Sequence, residues 1–438
     1  MNPNSLRIFL FLIAFVLPVT LGAQQRPNII YIMTDDMGYG DLSSYGKKEF
    51  TTPNIDKLAS QGMKFVNAYS AAPLCTPTRV GLMTGRYPAR TTVGLIEPLT
   101  ASPEDSNYGL TNKIPSLGAL VKSASYHTAL IGKWHLGIKP EHSPIKNGFD
   151  YFFGIRTGAA DYISHKGDDD QHDLWENDSL VYPKGYLTDL ISEKAISYIS
   201  SKHDKPFFLV IHFNAPHWPW QGPSDPVYPD SLNWRAGGSL KIYQAMMKSL
   251  DDAVGKIMTA VDQHAPSNTI VIFTNDNGGE RPFSDNGGLS QAKGTLWEGG
   301  IRVPAFVRWP EKIKPAQVTD QVAITMDWSA TILKLAGAKP SKNFPFDGID
   351  LMPVLTNKTN GIERTLYWRT FQRTKQKAIH MGDWKYLQDE KGEYLFDLKN
   401  DQAEKNNLKD QNPMVFQKLK EKYAAWEKTV LQPLPLPY

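Results

Sequence analysis

The chain contains a single cysteine, Cys75, in the segment Pro73-Leu74-Cys75-Thr76-Pro77-Thr78-Arg79. A lone cysteine cannot form an internal disulfide, so it is a buried inert thiol, a bridge to another chain, or a side chain used in chemistry. Pro77 is compatible with a first helical turn, which predicts that Cys75 lies just before a helix start. Helix N-termini attract anions and lower thiol pKa values, and Arg79 adds a positive charge one turn along. The pattern therefore predicts a chemically used cysteine at an anion site.

Polar side chains follow four short apolar segments, at the points where predicted strands end. The predicted strands cover residues 28–34, 126–131, 207–213 and 269–274. The polar side chains that follow them are Asp35 and Asp36, Lys133 and His135, His217, and Asp276 and Asn277. Any one such cluster is more often a solvated turn. Because ligands bind at the carboxyl ends of parallel strands, the four clusters predict one shared site if the strands are parallel neighbours.

These side chains fall into two chemical classes. The class with only hard oxygen ligands, which suit calcium or magnesium and not zinc, contains Asp35, Asp36, Asp276 and Asn277. Three carboxylates brought together repel one another, so a divalent cation is the expected occupant. The class of donors that suit a tetrahedral oxyanion contains Lys133, His135, His217 and Lys293. Either histidine alone is more often a structural residue. A metal ion beside such donors predicts hydrolysis or transfer of an anionic ester.

The elements that position these side chains alternate short apolar runs with helical patterns. This alternation is typical of an α/β fold with a mostly parallel sheet sandwiched by helices. Residues 54–61 and 239–264 have the apolar spacing of helices. After about residue 335 the pattern changes to four short strands, at 364–369, 377–381, 384–388 and 394–398, and then a helix at about 413–430. These segments predict a small antiparallel sheet subdomain at the C-terminus.

Composition and the N-terminal segment bound the class of protein. The 438 residues are 41% hydrophobic and 21% charged, as in ordinary globular proteins. Residues 1–23 carry one charge, Arg7, before a short apolar run and small residues, which predicts a secretory signal peptide and a periplasmic or secreted protein. The net charge of +3 is scattered, which gives no support to nucleic-acid binding, and no later apolar run predicts a membrane span. We expect a catalytic domain at 24–340 and a C-terminal α+β subdomain at 341–438.

The segment around Cys75 resembles the formylglycine-dependent, or type I, sulfatases. Residues Cys75 to Arg79 match their Cys-x-Pro-x-Arg modification motif, and the match continues to Arg86. Their second signature is similar to residues 126–135, with Ser125 where that signature usually has glycine. The similarity also covers residues 27–45, 215–217 and 274–304, so it spans most of the chain.

The resemblance implies an alkaline-phosphatase-like fold and a specific nucleophile. In this family a maturation enzyme oxidises the motif cysteine to formylglycine (3-oxoalanine), whose hydrate carries two hydroxyl groups. One hydroxyl attacks the sulfur atom of the ester and the alcohol leaves. The second hydroxyl then loses its proton, sulfate is eliminated and the aldehyde returns. An ordinary serine would stay esterified because it has no such exit.

The same resemblance implies a role for each matched residue. One calcium ion is bound by Asp35, Asp36, Asp276, Asn277 and the modified residue Cys75. Arg79 stabilises the diol, and the sulfate oxygens are held by Lys133 and Lys293. His135 assists the second step and His217 is the acid for the leaving oxygen, although the two histidine roles are exchangeable at this stage.

Carbohydrate sulfate esters, in a polysaccharide or its oligosaccharides, are the expected substrates. The resemblance to exported polysaccharide sulfatases favours them, as do Trp218 and Trp220 beside His217, where a sugar ring could stack. An arylsulfatase without sugar preference and a phosphatase or phosphonate hydrolase of the same superfamily are the alternative enzymes. A non-catalytic, metal-stabilised binding protein, or a dimer linked through Cys75, is the alternative from a different class.

Overall fold

The computed structural model describes residues 26–47, 49–228, 234–265 and 268–434, so the predicted signal peptide lies outside the described residues. The strands are β1 (Asn28–Thr34), β2 (Met63–Phe65), β3 (Ala68–Tyr69), β4 (His127–Gly132), β5 (Tyr151–Gly154), β6 (Trp175–Glu176), β7 (Ser179–Leu180), β8 (Phe207–His212), β9 (Thr269–Asn275), β10 (Ala305–Arg308), β11 (Gln317–Thr319), β12 (Ala323–Ile324), β13 (Thr365–Thr370), β14 (Gln376–Met381), β15 (Trp384–Asp389) and β16 (Gly392–Asp397). The helices are α1 (Pro53–Ser60), α2 (Cys75–Thr84), α3 (Leu117–Ser123), α4 (Leu187–Ser200), α5 (Leu240–His264), α6 (Glu298–Ile301), α7 (Thr325–Ala336), α8 (Met352–Leu355) and α9 (Pro413–Glu427).

The central sheet has ten strands within the described residues, in the order β11-β2-β10-β9-β1-β8-β4-β5-β6-β7. The strands β9, β1, β8 and β4 are consecutive neighbours, and all three pairings among them are parallel. Antiparallel pairs stand toward the margins, where β10 joins β9 and β6 joins β5. The prediction of a mixed, mostly parallel sheet is therefore confirmed. The carboxyl ends of the four predicted strands lie side by side.

Helices cover both faces of this sheet. In β1, the alternate residues Ile29, Tyr31 and Met33 join one core cluster, while Ile30 and Ile32 join a second. Apolar residues of α2, α3 and α7 complete the first cluster, and those of α1, α4 and α5 complete the second. A strand buried on both faces reads as a continuous apolar run, which explains the sequence of β1. No helix among the described residues has the length and apolar character that a membrane crossing requires.

A separate antiparallel sheet, β13-β14-β15-β16, follows near the C-terminus, as predicted. Its strands begin or end within two residues of the predicted bounds, and α9 ends at Glu427, before the predicted end at residue 430. Trp368 and Ile379 of this sheet share a core cluster with Tyr69 and Leu296. The buried Lys385 amine also lies 2.8 Å from the carboxylate of Glu298. The sheet is thus packed tightly on the catalytic part, and we keep the boundary near residue 340 as a proposal.

Ser125, where the related signature has glycine, adopts a left-handed backbone with a φ of 63°. It follows the end of α3 and is exposed, in the position where glycine commonly ends a helix. A non-glycine residue in this region is strained by about 1 kcal/mol or more. We therefore predict that Ser125→Gly raises the free energy of unfolding by about 1 kcal/mol, measured by denaturant titration.

The matched control is Ser123→Gly, because Ser123 is exposed and is the last residue of α3. Its backbone is not left-handed, so glycine relieves no strain there and costs up to about 0.5–1 kcal/mol of stability. Equal shifts in the two variants would contradict the backbone explanation.

Candidate active site

Cys75 is the first residue of α2 and its side chain is buried. The helix therefore begins at Cys75 rather than after it. The loop before it is held by the Thr78 hydroxyl, which donates to the carbonyl oxygen of Ala72 at 2.8 Å and accepts from the Ala72 amide at 3.1 Å. The amides at the N-terminus of a helix are available to bind an anion. The local structure thus places the sulfur atom at the positive end of a buried helix.

Three carboxylates meet beyond the ends of β1 and β9. Thr34 is paired with Asn275 in the sheet, so the residues that follow the two strands are adjacent. Asp35, Asp36 and Asp276 are all buried, and the Asp36 amide donates to the Asp276 Oδ1 atom at 3.3 Å. Burial, followed by the charge of Asp276, raises the pKa of Asp35. Such a cluster needs positive charge to remain ionised.

Arg79 and Lys133 supply part of that charge. The Arg79 Nη2 atom lies 3.0 Å from the Oδ2 atom of Asp276 and 3.7 Å from that of Asp35. The Lys133 amine bonds directly to the Asp35 carboxylate. Both cationic side chains are fully buried. Arg79, in the second turn of α2, therefore connects the cysteine helix to the carboxylate cluster.

Lys293 supplies charge next to a different carboxylate, Asp36. Its Nζ atom lies 2.5 Å from the Asp36 Oδ2 atom and 3.1 Å from the Glu280 Oε2 atom. The negative charges of Asp36 and Glu280 raise the pKa of Lys293 against the effect of burial, which alone would lower it. Its amine therefore stays protonated in the site. Lys293 also interacts electrostatically with Cys75, as do Arg79 and Asp276.

The oxygen ligands of the cluster fit a hard divalent cation. The Asp35 Oδ1 and Asn277 Oδ1 atoms are buried and have no hydrogen-bond partner among the described residues. The Asn277 amide nitrogen donates to the Asp36 Oδ1 atom at 2.8 Å, which leaves the amide oxygen free to bind a cation. Buried oxygens without donors are costly unless a cation or water satisfies them. Ligand atoms of Asp35, Asp36 and His217 also lie within 4.8 Å of one another.

Backbone carbonyl oxygens determine which nitrogen carries the proton in both predicted histidines. The His135 Nε2 atom lies 2.9 Å from the Leu99 oxygen and must donate to it, so Nδ1 keeps a lone pair. The His217 Nδ1 atom donates to the Trp218 oxygen at 2.5 Å, so Nε2 faces the Asp36 carboxylate at 3.5 Å. Burial and the charge of Lys133 lower the pKa of His135 to about 3. Burial and Lys293 lower the pKa of His217 as well. Burial therefore favours the uncharged form of both rings.

The two tryptophans predicted to contact a sugar differ in exposure. Trp218 is half-buried, and its ring lies 4.4 Å from that of His217. Trp220 is only 3% exposed and packs edge-on against Phe283 in the core. The prediction that Trp220 stacks on a sugar is therefore wrong, because its ring is already covered. The segment at 156–175 borders the site, since the Tyr162 hydroxyl donates to the carbonyl oxygen of His217 at 2.9 Å.

Sequence reasoning assigned no role to two buried residues that hold the site together. His212 ends β8, and its Nδ1 atom donates to the Lys133 oxygen at 3.0 Å. The Asn275 side chain accepts from the Thr34 hydroxyl at 2.7 Å and donates to the Met37 oxygen at 2.7 Å. Both stand at strand ends on the site edge, and that position was the signal that could have identified them. The predicted residues themselves are brought together: Asp35, Asp36, Cys75, Arg79, Lys133, His135, His217, Trp218, Asp276, Asn277 and Lys293.

Two family models match the chain. The model described as Sulfatase matches residues 27–338, and the model described as N-sulphoglucosamine sulphohydrolase, C-terminal, matches residues 291–429. The first match contains every residue of the cluster, and the second contains the small C-terminal sheet.

Named relatives and solved structures agree with these models. N-acetylgalactosamine-6-sulfatase of Rattus norvegicus is 35% identical over 387 residues, which cover 83% of this chain and 72% of the relative. Arylsulfatase A of Bos taurus is 35% identical over 393 residues, which cover 82% of this chain and 73% of the relative. The crystal structure of Ps i-CgsB in complex with k-i-k-neocarrahexaose superposes with a TM-score of 0.84 at 30% identity, over 94% of this chain and 95% of that one.

Proposed function

The chain belongs to the sulfatase family and is a sulfuric ester hydrolase, and we propose that it desulfates a carbohydrate with a nucleophile made from Cys75. Its fold is the alkaline-phosphatase-like fold of its structural neighbours. The observation that carries the proposal is the placement of the only cysteine at the N-terminus of α2, beside Arg79 and the carboxylate cluster. A maturation enzyme is then a required partner, since the thiol must become formylglycine (3-oxoalanine).

The hydrated aldehyde at residue 75 supplies one hydroxyl that attacks the ester sulfur and a second through which sulfate is later eliminated. The amides at the start of α2 orient the attacking group, and the Arg79 guanidinium stabilises it as its proton is lost. Lys133 and Lys293 hold sulfate oxygens and offset the negative charge that develops on them. These two amines bond to different carboxylates of the cluster, Lys133 to Asp35 and Lys293 to Asp36.

Asp35, Asp36, Asp276 and Asn277, together with the modified residue Cys75, would hold one calcium ion, which would supply charge withdrawal from the sulfate group and help to orient it. Support for this ligand set comes from the two unpartnered oxygens of Asp35 and Asn277, because calcium prefers oxygen ligands.

The histidine geometry supports one assignment of the two proton transfers. His135 keeps an unprotonated Nδ1 atom and a neutral ring, which suits the base that takes the proton of the second hydroxyl. The Nε2 atom of His217 lies 3.5 Å from Asp36, whose charge stabilises the protonated ring. An anionic ester beside that atom adds to this effect and offsets Lys293, so His217 protonates the leaving alcohol oxygen.

A sulfated carbohydrate is the proposed substrate class, and the half-buried Trp218 next to His217 offers its ring to a sugar. The names of the relatives support this class, since one acts on N-acetylgalactosamine 6-sulfate by name and another was solved with a neocarrahexaose. The apolar leader at 1–23 supports export to the periplasm or the medium.

The test is a panel of defined sulfated saccharides, nitrophenyl sulfate and matched phosphate esters, with release of the inorganic anion as the readout. We expect kcat/KM to be highest for a saccharide sulfate and about a hundredfold lower for the phosphate ester of the same alcohol. The mass of the peptide that carries residue 75 should be lower than that of the unmodified cysteine peptide. Equal or faster phosphate release, or a disulfide-linked dimer on a non-reducing gel, would contradict the proposal.

A further inference from the structure

The turn between β13 and β14, residues 371–375, lies against the candidate active site rather than at a remote end of the C-terminal sheet. We call it the rim turn. The Thr374 hydroxyl donates to the carbonyl oxygen of Gly294 at 3.0 Å. Gly294 directly follows Lys293, and its amide donates to the carbonyl oxygen of Pro73 at 2.9 Å. One end of the rim turn therefore contacts Gly294, the sequence neighbour of Lys293, and Gly294 in turn contacts the loop that precedes Cys75.

Glu97 holds the other end of the rim turn. Its carboxylate accepts the amides of Phe371, at 3.0 and 3.1 Å, and of Gln372, at 2.9 Å. Its own amide donates to the Gln372 Oε1 atom at 2.8 Å. Burial raises the pKa of Glu97, while the amides of Phe371, Gln372 and Arg373 lower it. Three consecutive amides directed at one buried carboxylate fix the conformation of the turn.

Glu97 also belongs to a segment that contacts the reacting groups. Two residues later, the carbonyl oxygen of Leu99 accepts a hydrogen bond from the His135 Nε2 atom at 2.9 Å. The Leu99 amide donates to the hydroxyl of Thr76 at 3.1 Å, and Thr76 follows Cys75. The rim turn is thus clamped between two segments that each contact the catalytic groups.

The rim turn carries two positive charges, Arg373 and Lys375, and both side chains are exposed. Neither forms an ion pair with a carboxylate among the described residues; the Lys375 amine lies 5.7 Å from the Phe371 ring. An exposed cation on a flexible loop would be ordinary surface charge. These cations instead stand on a backbone that a buried carboxylate holds in one conformation, at the edge of a site for an anionic ester. Because the backbone of the turn is already ordered, binding an anion here carries no cost of ordering the loop.

We propose that the rim turn is a subsite for a second anionic group, a sulfate or carboxylate, on the saccharide whose sulfate ester is cleaved at residue 75. Arg373 binds that group, with Lys375 adding to the local positive potential, and Glu97 is a positioning residue that holds the turn. This subsite rests on the proposed function and makes the substrate class more specific, because it requires a saccharide with at least two negative charges.

The experiment compares two disaccharides of the same sugars and linkage, one monosulfated and one disulfated, for wild type, Arg373→Gln and Lys375→Gln. For the disulfated disaccharide we expect Arg373→Gln to lower kcat/KM about tenfold, through KM, with less than a twofold change for the monosulfated one. Lys418→Gln, which neutralises an exposed lysine of α9, is the matched control and should change neither value. The salt dependence of kcat/KM for the disulfated substrate should also be smaller in Arg373→Gln.

Glu97→Gln tests the positioning role, because it keeps the size of the side chain and removes its charge. We expect it to raise KM for the disulfated disaccharide by a larger factor than KM for the monosulfated one. Equal losses on both substrates in Arg373→Gln, or no loss on either, would overturn the subsite. If wild type releases sulfate from neither disaccharide nor from nitrophenyl sulfate, the proposed function itself fails. If wild type uses the two disaccharides equally well, only the subsite fails.

Discussion

Replacing Cys75 with alanine is expected to lower sulfate release by roughly 10⁴-fold or more while the protein stays folded. The variant has no group at residue 75 that can be oxidised to formylglycine, so the nucleophile is absent. The thiol is small and begins α2, and its removal should cost only about 1 kcal/mol of stability. Release of inorganic sulfate measures the first effect, and the melting temperature measures the second.

Cys75→Ser is the matched comparison, because serine keeps one hydroxyl and lacks the second. We expect at most one equivalent of alcohol per enzyme molecule, followed by arrest, with the sulfated serine visible in the mass of the intact protein. Sustained turnover in either variant would disprove the nucleophile assignment. A burst in Cys75→Ser together with an inactive Cys75→Ala would separate the attack on sulfur from the elimination of sulfate.

The residues of the site were predictable because the sheet places strand ends together. The apolar runs that end before Asp35, Lys133 and Asp276 are buried on both faces, so their lengths and their positions along the chain were visible in the sequence alone. A parallel sheet then forces the residues after those strands onto one edge. The chemical types of these residues then predicted a cation site, because carboxylates that share an edge repel one another unless positive charge offsets them.

Features that depend on packing could not be predicted in this way. Trp220 and Trp218 are two residues apart, yet one is covered by Phe283 and the other borders His217. Nothing in their local sequence separates them. Glu97 is far in sequence from the rim turn that it holds, because the C-terminal sheet must fold back onto the catalytic part before the contact exists. Such long-range contacts follow from the tertiary fold and not from local patterns.

Removing the Asp276 charge is expected to weaken cation binding strongly and to abolish turnover. Asp276 is fully buried, and its Oδ2 atom lies 3.0 Å from Arg79. Loss of a ligand charge in Asp276→Asn should weaken calcium binding by at least about 100-fold, since even outer-shell changes at metal sites cost 10–100-fold. Calcium at 100 times its dissociation constant stabilises a protein by about 2.7 kcal/mol, so wild type should melt higher with calcium than with a chelator. We expect that stabilisation to fall to about 0.4 kcal/mol or less in Asp276→Asn, and a similar loss in Asn277→Ala.

Asp327→Asn controls for the general cost of neutralising a buried carboxylate. Asp327 is fully buried and its carboxylate lies 2.6 Å from the Arg364 guanidinium. Like Asp276, it is therefore a buried carboxylate paired with an arginine, but it does not belong to the cluster. This variant should lose stability but keep the calcium-dependent rise in melting temperature and the calcium dependence of sulfate release. Because the readouts are separate, a merely misfolded variant cannot imitate the loss of a ligand. Two results would contradict the cation assignment: a chelated wild type that keeps its full rate and melting temperature, or an Asp276→Asn protein that keeps the calcium response. In either case the carboxylates would be neutralised by Arg79, Lys133 and Lys293 alone.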